Sequence, residues 1–136
     1  MRVRIIPQVC GGEAIVALAM SEPDAGSALT DLKTQAVRKG DEWVLSGTKR
    51  WYLGAWHEDF YVVYCRMSDE KGTKSTGSVL VSKNQTGVVF SEKEKHMGFR
   101  GLPSADIYFD EVVIKHENVV VNSVGFKKLM HAFDLD

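Results

Sequence analysis

The chain has 136 residues, 44% hydrophobic and 26% charged, a single-domain length with enough apolar material for a buried core. Lys and Arg number 17 against 18 Asp and Glu, and the net charge of -1 gives no electrostatic reason to expect nucleic acid or an anionic membrane as partner. No apolar run approaches the roughly 20 residues that span a bilayer. Cys10, Cys65 and the four histidines show no metal-ligand spacing, so no metal is expected and both cysteines read as reduced thiols.

Arg2 and Arg4 stand ahead of the apolar run Ala14 to Met20, an order that faintly mimics a secretory leader. Pro7, Gly11-Gly12 and Glu13 interrupt it, and Ser21-Glu22-Pro23-Asp24 is a poor cleavage context, which argues against one. Thr34 to Arg38 and Glu42 to Leu45, on either side of Lys39-Gly40-Asp41, predict a hairpin. Trp51-Tyr52-Leu53 is a short aromatic segment. Phe60 to Cys65 is continuously apolar and predicts a strand buried on both faces. The polar stretch from Met67 to Gly77 reads as an exposed loop.

Ser78 to Val81 and Gly87 to Phe90 are two further strands, and Asp106 to Phe109 and Val112 to Ile114 alternate as a half-buried ladder. Many short strands at this spacing predict an all-β fold, a barrel or a sandwich. Helical periodicity is confined to the end, where Ser123 could cap a segment carrying Phe126, Leu129, Met130 and Phe133. A helix that short is marginal in isolation. The expected division is therefore a β domain over residues 1–122 and the start of a helical domain over 123–136, within a longer protein.

Met20-Ser21-Glu22-Pro23-Asp24-Ala25-Gly26-Ser27 reads as a strand end entering a Pro-Gly loop with two hydroxyls. Pro23 cannot continue a central ladder, and Gly26 permits a close backbone approach. Such loops hold carbonyl or phosphate oxygens of ligands. They are equally ordinary turns in which Ser and Asp bond the local backbone.

The run Leu18 to Ser27 resembles the acyl-CoA dehydrogenase signature, in which an apolar run leads to Thr or Ser, Glu-Pro, a variable residue and Ala-Gly-Ser-Asp. Three further blocks follow in order: Gly47-Thr48-Lys49-Arg50-Trp51-Tyr52-Leu53, Met97-Gly98-Phe99-Arg100-Gly101, and Phe109 to Ile114 with Glu117-Asn118-Val119. Together they extend the resemblance from about Ile5 to Asp136. It implies the family's middle domain, an antiparallel β-barrel of two packed orthogonal sheets, with FAD and an acyl-CoA thioester held against flanking helical domains.

Carried over position by position, the resemblance lays Leu18, Met20 and Ser21 along the isoalloxazine ring, with the Ser21 hydroxyl and nearby N–H groups on its pyrimidine edge. Gly26 and Ser27 would approach the flavin pyrophosphate, with Ser27 also near the acyl-CoA. Trp51 would pack on the ring system, and the Tyr52-Leu53 backbone would reach its carbonyl and N5 edge. Standing alone, Trp51 would read as barrel core.

Three positions depart from the family pattern: Ala28 replaces an aspartate, Leu53 a Thr or Ser, and Ala105 an arginine expected in a turn. The resemblance implies a homo-oligomer of the cytoplasm or an organelle matrix, with no membrane insertion. The base that removes the α-proton belongs to the family's C-terminal helical domain, so no catalytic residue is assigned here, Glu22 included. Isolated, the chain is expected to be inactive and to retain flavin poorly. The alternatives are a non-catalytic ligand-binding or scaffold barrel of the same descent, or a piece of an acyl-CoA oxidase or flavin monooxygenase relative.

Overall fold

A computed structural model describes residues 2–54, 56–70 and 74–123. The chain opens with α1 (Arg2–Cys10) and continues as strands β1 (Val16–Ala19), β2 (Gln35–Lys39), β3 (Glu42–Leu53), β4 (Phe60–Arg66), β5 (Thr76–Ser82), β6 (Val88–Phe90), β7 (Ser104–Lys115) and β8 (Val119–Val121). The expected all-β architecture is present. Ser123 lies in a turn, while the apolar stripe from Phe126 to Phe133, and with it the expected helical segment, lies outside the described residues.

Helix α1 corrects the expectation that helical character is confined to the end. Pro7 lies inside it and offers no N–H, which reads as a breaker in sequence. Tertiary docking overrides that local signal. Ile5 is buried, and the helix closes through Gly11 N–H to Pro7 O at 2.9 Å and Glu13 N–H to Gln8 O at 2.8 Å.

The strands form one hydrogen-bonded path, β6-β7-β3-β2-β4-β5-β8, with β1 added to β4 in parallel. The other ladders are antiparallel, save a single parallel pairing of Gln35 with Arg66. The predicted hairpin is β2–β3, where Lys39 faces Glu42 and Gly40 turns at φ 63°. Asp106 to Ile114 belongs to one 12-residue strand rather than two short ones. Register shifts between Leu45 and Gly47 and between Lys49 and Tyr52 interrupt the β3–β7 ladder, and such bulges bend strands and increase twist.

The sheet curls over one core, to which Leu45, Tyr61, Val63, Val79, Ile107 and Val112 contribute from β3, β4, β5 and β7. Strand β4 is buried on both faces as its composition predicts. Tyr61, Val63 and Cys65 enter the main core, and Tyr64 meets Ala25 and Leu32 on the opposite side. That second cluster pins the loop between β1 and β2 to the barrel wall. The loop carries the Ser21-Glu22-Pro23 motif, so its position is set by packing as well as by turn chemistry.

Candidate functional site

At the end of β1 the chain turns tightly: the Glu22 N–H donates to Ala25 O at 2.8 Å, and the Ala25 N–H returns to Glu22 O at 3.3 Å. Pro23 and Asp24 occupy the corner. The Glu22 side chain runs inward and is almost fully buried. Its Oε2 accepts the Lys33 N–H at 2.7 Å, and its Oε1 accepts the Thr34 N–H at 3.1 Å and the Lys49 Nζ at 2.8 Å. The same ammonium donates to Met20 O at 2.8 Å.

Burial alone would raise the Glu22 carboxyl, but Lys49 and the two backbone N–H groups more than offset it and hold it below the usual carboxylate range. Burial pushes Lys49 below the ordinary lysine range, against the opposing pull of Glu22. Three donors on one carboxylate define an ionised, satisfied pair. Glu22 is thus framework, as the resemblance implies. Asp24 pairs with Lys33 at 2.6 Å on the surface, so the loop is braced by carboxylates at 22 and 24 although position 28 is alanine.

The two motifs meet directly. The Arg50 N–H donates to Ser21 O at 2.9 Å, and a groove of about 250 Å³ lies between residues 17–21 and 49–52. Leu18, Met20, Ser21, Trp51 and Tyr52, all expected at one site, line it together. Trp51 occupies the bulge at φ 60° and is 56% exposed, so it is a surface indole and not barrel core. The Arg50 guanidinium lies 5.0 Å from its ring centroid and pairs with Asp106 at 3.7 Å. Tyr52 is buried edge-on against Tyr61, which leaves its backbone as its polar offering to the groove.

Leu53 follows in β3, opposite Ser104. Gly26 and Ser27 stand exposed beyond the Pro23 corner and outside the groove. Ala105, expected in a turn, lies within β7 facing Tyr52 and is fully buried. The Met97 to Gly101 block is an exposed turn in which Phe99 adopts φ 53°. The sequence reading gave no role to Lys49 or Arg50, although both lie in the quoted motif. The available signal was the inward register of Leu45, Gly47 and Lys49 along β3, which places a lysine on the core face.

Among the described residues no cluster of three His, Cys, Asp or Glu could hold a metal, and no helix is long and apolar enough to cross a membrane. Cys10 and Cys65 are free thiols, one exposed and one buried.

The fold is thus a curled β-domain whose first strand exit and central bulge form a groove edged by an exposed indole. The sequence pattern of the acyl-CoA dehydrogenase middle domain matches residues 17–112. Cyclohexane-1-carbonyl-CoA dehydrogenase of Syntrophus aciditrophicus is 34% identical over 134 residues, 97% of this chain and 35% of that protein. A probable acyl-CoA dehydrogenase of Mycobacterium abscessus superposes with TM-score 0.88 at 30% identity, covering 96% of this chain and 35% of its own. An FAD-dependent dehydrogenase superposes with TM-score 0.87 at 27% identity over 96% of this chain and 36% of its own. The chain belongs to the acyl-CoA dehydrogenase family and is its middle domain. It spans about a third of the length of the relatives it matches.

Proposed function

We propose that this domain presents one wall of a flavin site in an acyl-CoA oxidoreductase. The observation that carries the reading is the groove itself, where a half-buried serine and a solvent-facing indole, 30 residues apart in sequence, share one surface. Neither the hydroxyl nor the N–H of Ser21 has a partner among the described residues, so both are free to meet a polar ring edge. Trp51 offers a flat apolar face. These residues fit an isoalloxazine. The name of the FAD-dependent relative supports FAD as the cofactor.

Bound FAD would supply hydride acceptance from the substrate β-carbon. This chain's part is to orient the ring and to stabilise negative charge at its pyrimidine edge through the Ser21 hydroxyl and N–H. Gly26 and Ser27 are proposed to reach toward the pyrophosphate or the acyl-CoA, and the Leu53 backbone toward N5. The α-proton base is proposed to come from helical sequence outside this chain, in a homo-oligomer acting on an acyl-CoA.

The test uses the full-length protein. Wild type binds FAD, and Ser21→Ala lowers the two-electron potential by some tens of millivolts while the fold stays intact. That range follows from about 1.5–3 kcal/mol for a hydrogen bond to a charged group and about 30 mV per 1.4 kcal/mol. Unchanged flavin affinity and potential in Ser21→Ala would favour a scaffold role for the loop.

A further inference from the structure

We infer that the buried Glu22–Lys49 pair is a positioning device that aims and strengthens the Ser21 N–H as a donor to the flavin edge, a role that rests on the flavin reading above. The Lys49 ammonium donates to Met20 O at 2.8 Å. That carbonyl belongs to the same peptide unit as the Ser21 N–H. The peptide is trans and planar, so its C=O and N–H point in opposite directions. Holding the carbonyl on the interior ammonium therefore turns the N–H away from the core, at a residue that lines the groove.

Polarisation acts in the same sense as orientation. A charge-assisted bond on a carbonyl strengthens the amide's own donor, by roughly 10–30% per bond in a low-dielectric setting. The next peptide is held as well, through the Arg50 N–H on Ser21 O at 2.9 Å. Ser21 is thus fixed on both sides while its own N–H and hydroxyl remain without a partner among the described residues. Glu22, anchored by the Lys33 and Thr34 N–H groups, keeps the ammonium in place.

The pair is not a general requirement of a stable core. Exchanging a buried ion pair for neutral side chains of similar volume is often neutral or favourable. What a neutral replacement loses is the charged donor on the Met20 carbonyl.

The experiment compares wild type with Glu22→Gln/Lys49→Met in the full-length protein, using FAD itself as the probe. The introduced glutamine keeps a carbonyl acceptor for one of the two backbone N–H groups, and the introduced methionine keeps the side-chain length without a donor. The double variant is expected to melt within a few degrees of wild type, to bind FAD at least tenfold more weakly, and to have a lower flavin potential. A folded double variant with FAD affinity within twofold and an unchanged potential overturns the inference. If the double variant does not fold, amide exchange in wild type decides. Protection of the Ser21 N–H that rises at least tenfold on adding FAD supports the role, and unchanged exchange with FAD bound overturns it. Wild type that binds no FAD refutes the flavin reading and the inference together, whereas a flavin-loaded wild type with an unaffected double variant refutes the inference alone.

Discussion

Gly47 and Thr34 approach so closely across the start of the β2–β3 hairpin that a Cβ on Gly47 would stand 2.6 Å from the Thr34 Cα and 2.5 Å from its Oγ1. Gly47 also holds φ 146°, a conformation side chains rarely adopt. Thr34 donates its N–H to Glu22, so a shift at Thr34 reaches the buried pair behind the groove. Gly47→Ala should cost about 3 kcal/mol, overpacking and backbone strain together. The melting temperature should fall by about 10 °C. Calorimetry showing no loss would mean that the hairpin yields freely at this contact.

Lys49→Met alone leaves Glu22 as an unpaired buried charge, a defect worth about 3–5 kcal/mol at neutral pH. The Glu22 carboxyl is held below its ordinary value in the wild type, so the stability it contributes is present above the usual carboxylate range and fades as pH falls through it. The penalty of Lys49→Met should shrink over the same acid range, because a protonated Glu22 needs no cation. Chemical denaturation at pH 7 and pH 4 measures this, and an equal penalty at both values would contradict it.

Glu58 is buried, and its Oε2 has no partner among the described residues. Burial raises its carboxyl above the ordinary value, against weaker opposing effects from its own backbone N–H, His57 and Lys83. Burial, with Glu58 adding to it, also lifts the Tyr52 phenol and takes the Tyr61 phenol to about 12. A raised acid contributes stability that is full below its unfolded value and is lost as pH rises through the folded one. Glu58→Gln should therefore stabilise the domain at pH 8 by about 1 kcal/mol, the scale of an unsatisfied buried group. The gain should vanish near pH 4. A wild type that melts higher than the variant at pH 8 would show that the carboxylate is satisfied in solution.

The two thiols should differ sharply in reactivity. Cys65 is fully buried and its thiol is pushed up to about 12 by burial, with Lys49 opposing only in part. Cys10 is exposed. An aromatic disulfide at pH 8 should titrate one thiol in the native protein and a second only on unfolding. Two fast thiols would mean that β4 opens readily.

Strand content, the hairpin at Gly40 and the doubly buried β4 were legible in the sequence because each rests on local chemistry. A glycine at a two-residue turn, a run of apolar and β-branched residues, and alternation along a strand act over a few neighbours. The two halves of the groove were legible as separate motifs. Helix α1 was not, since Pro7 argues against it locally and the burial of Ile5 exists only in the folded chain. Trp51 read alone as core, because its outward turn depends on a bulge defined by register against β7. Lys49 and Glu22, 27 positions apart, met only when the loop after β1 packed against β3. An ion pair and its hold on a third residue's carbonyl are relations between distant backbone positions, and only burial in a common core creates them.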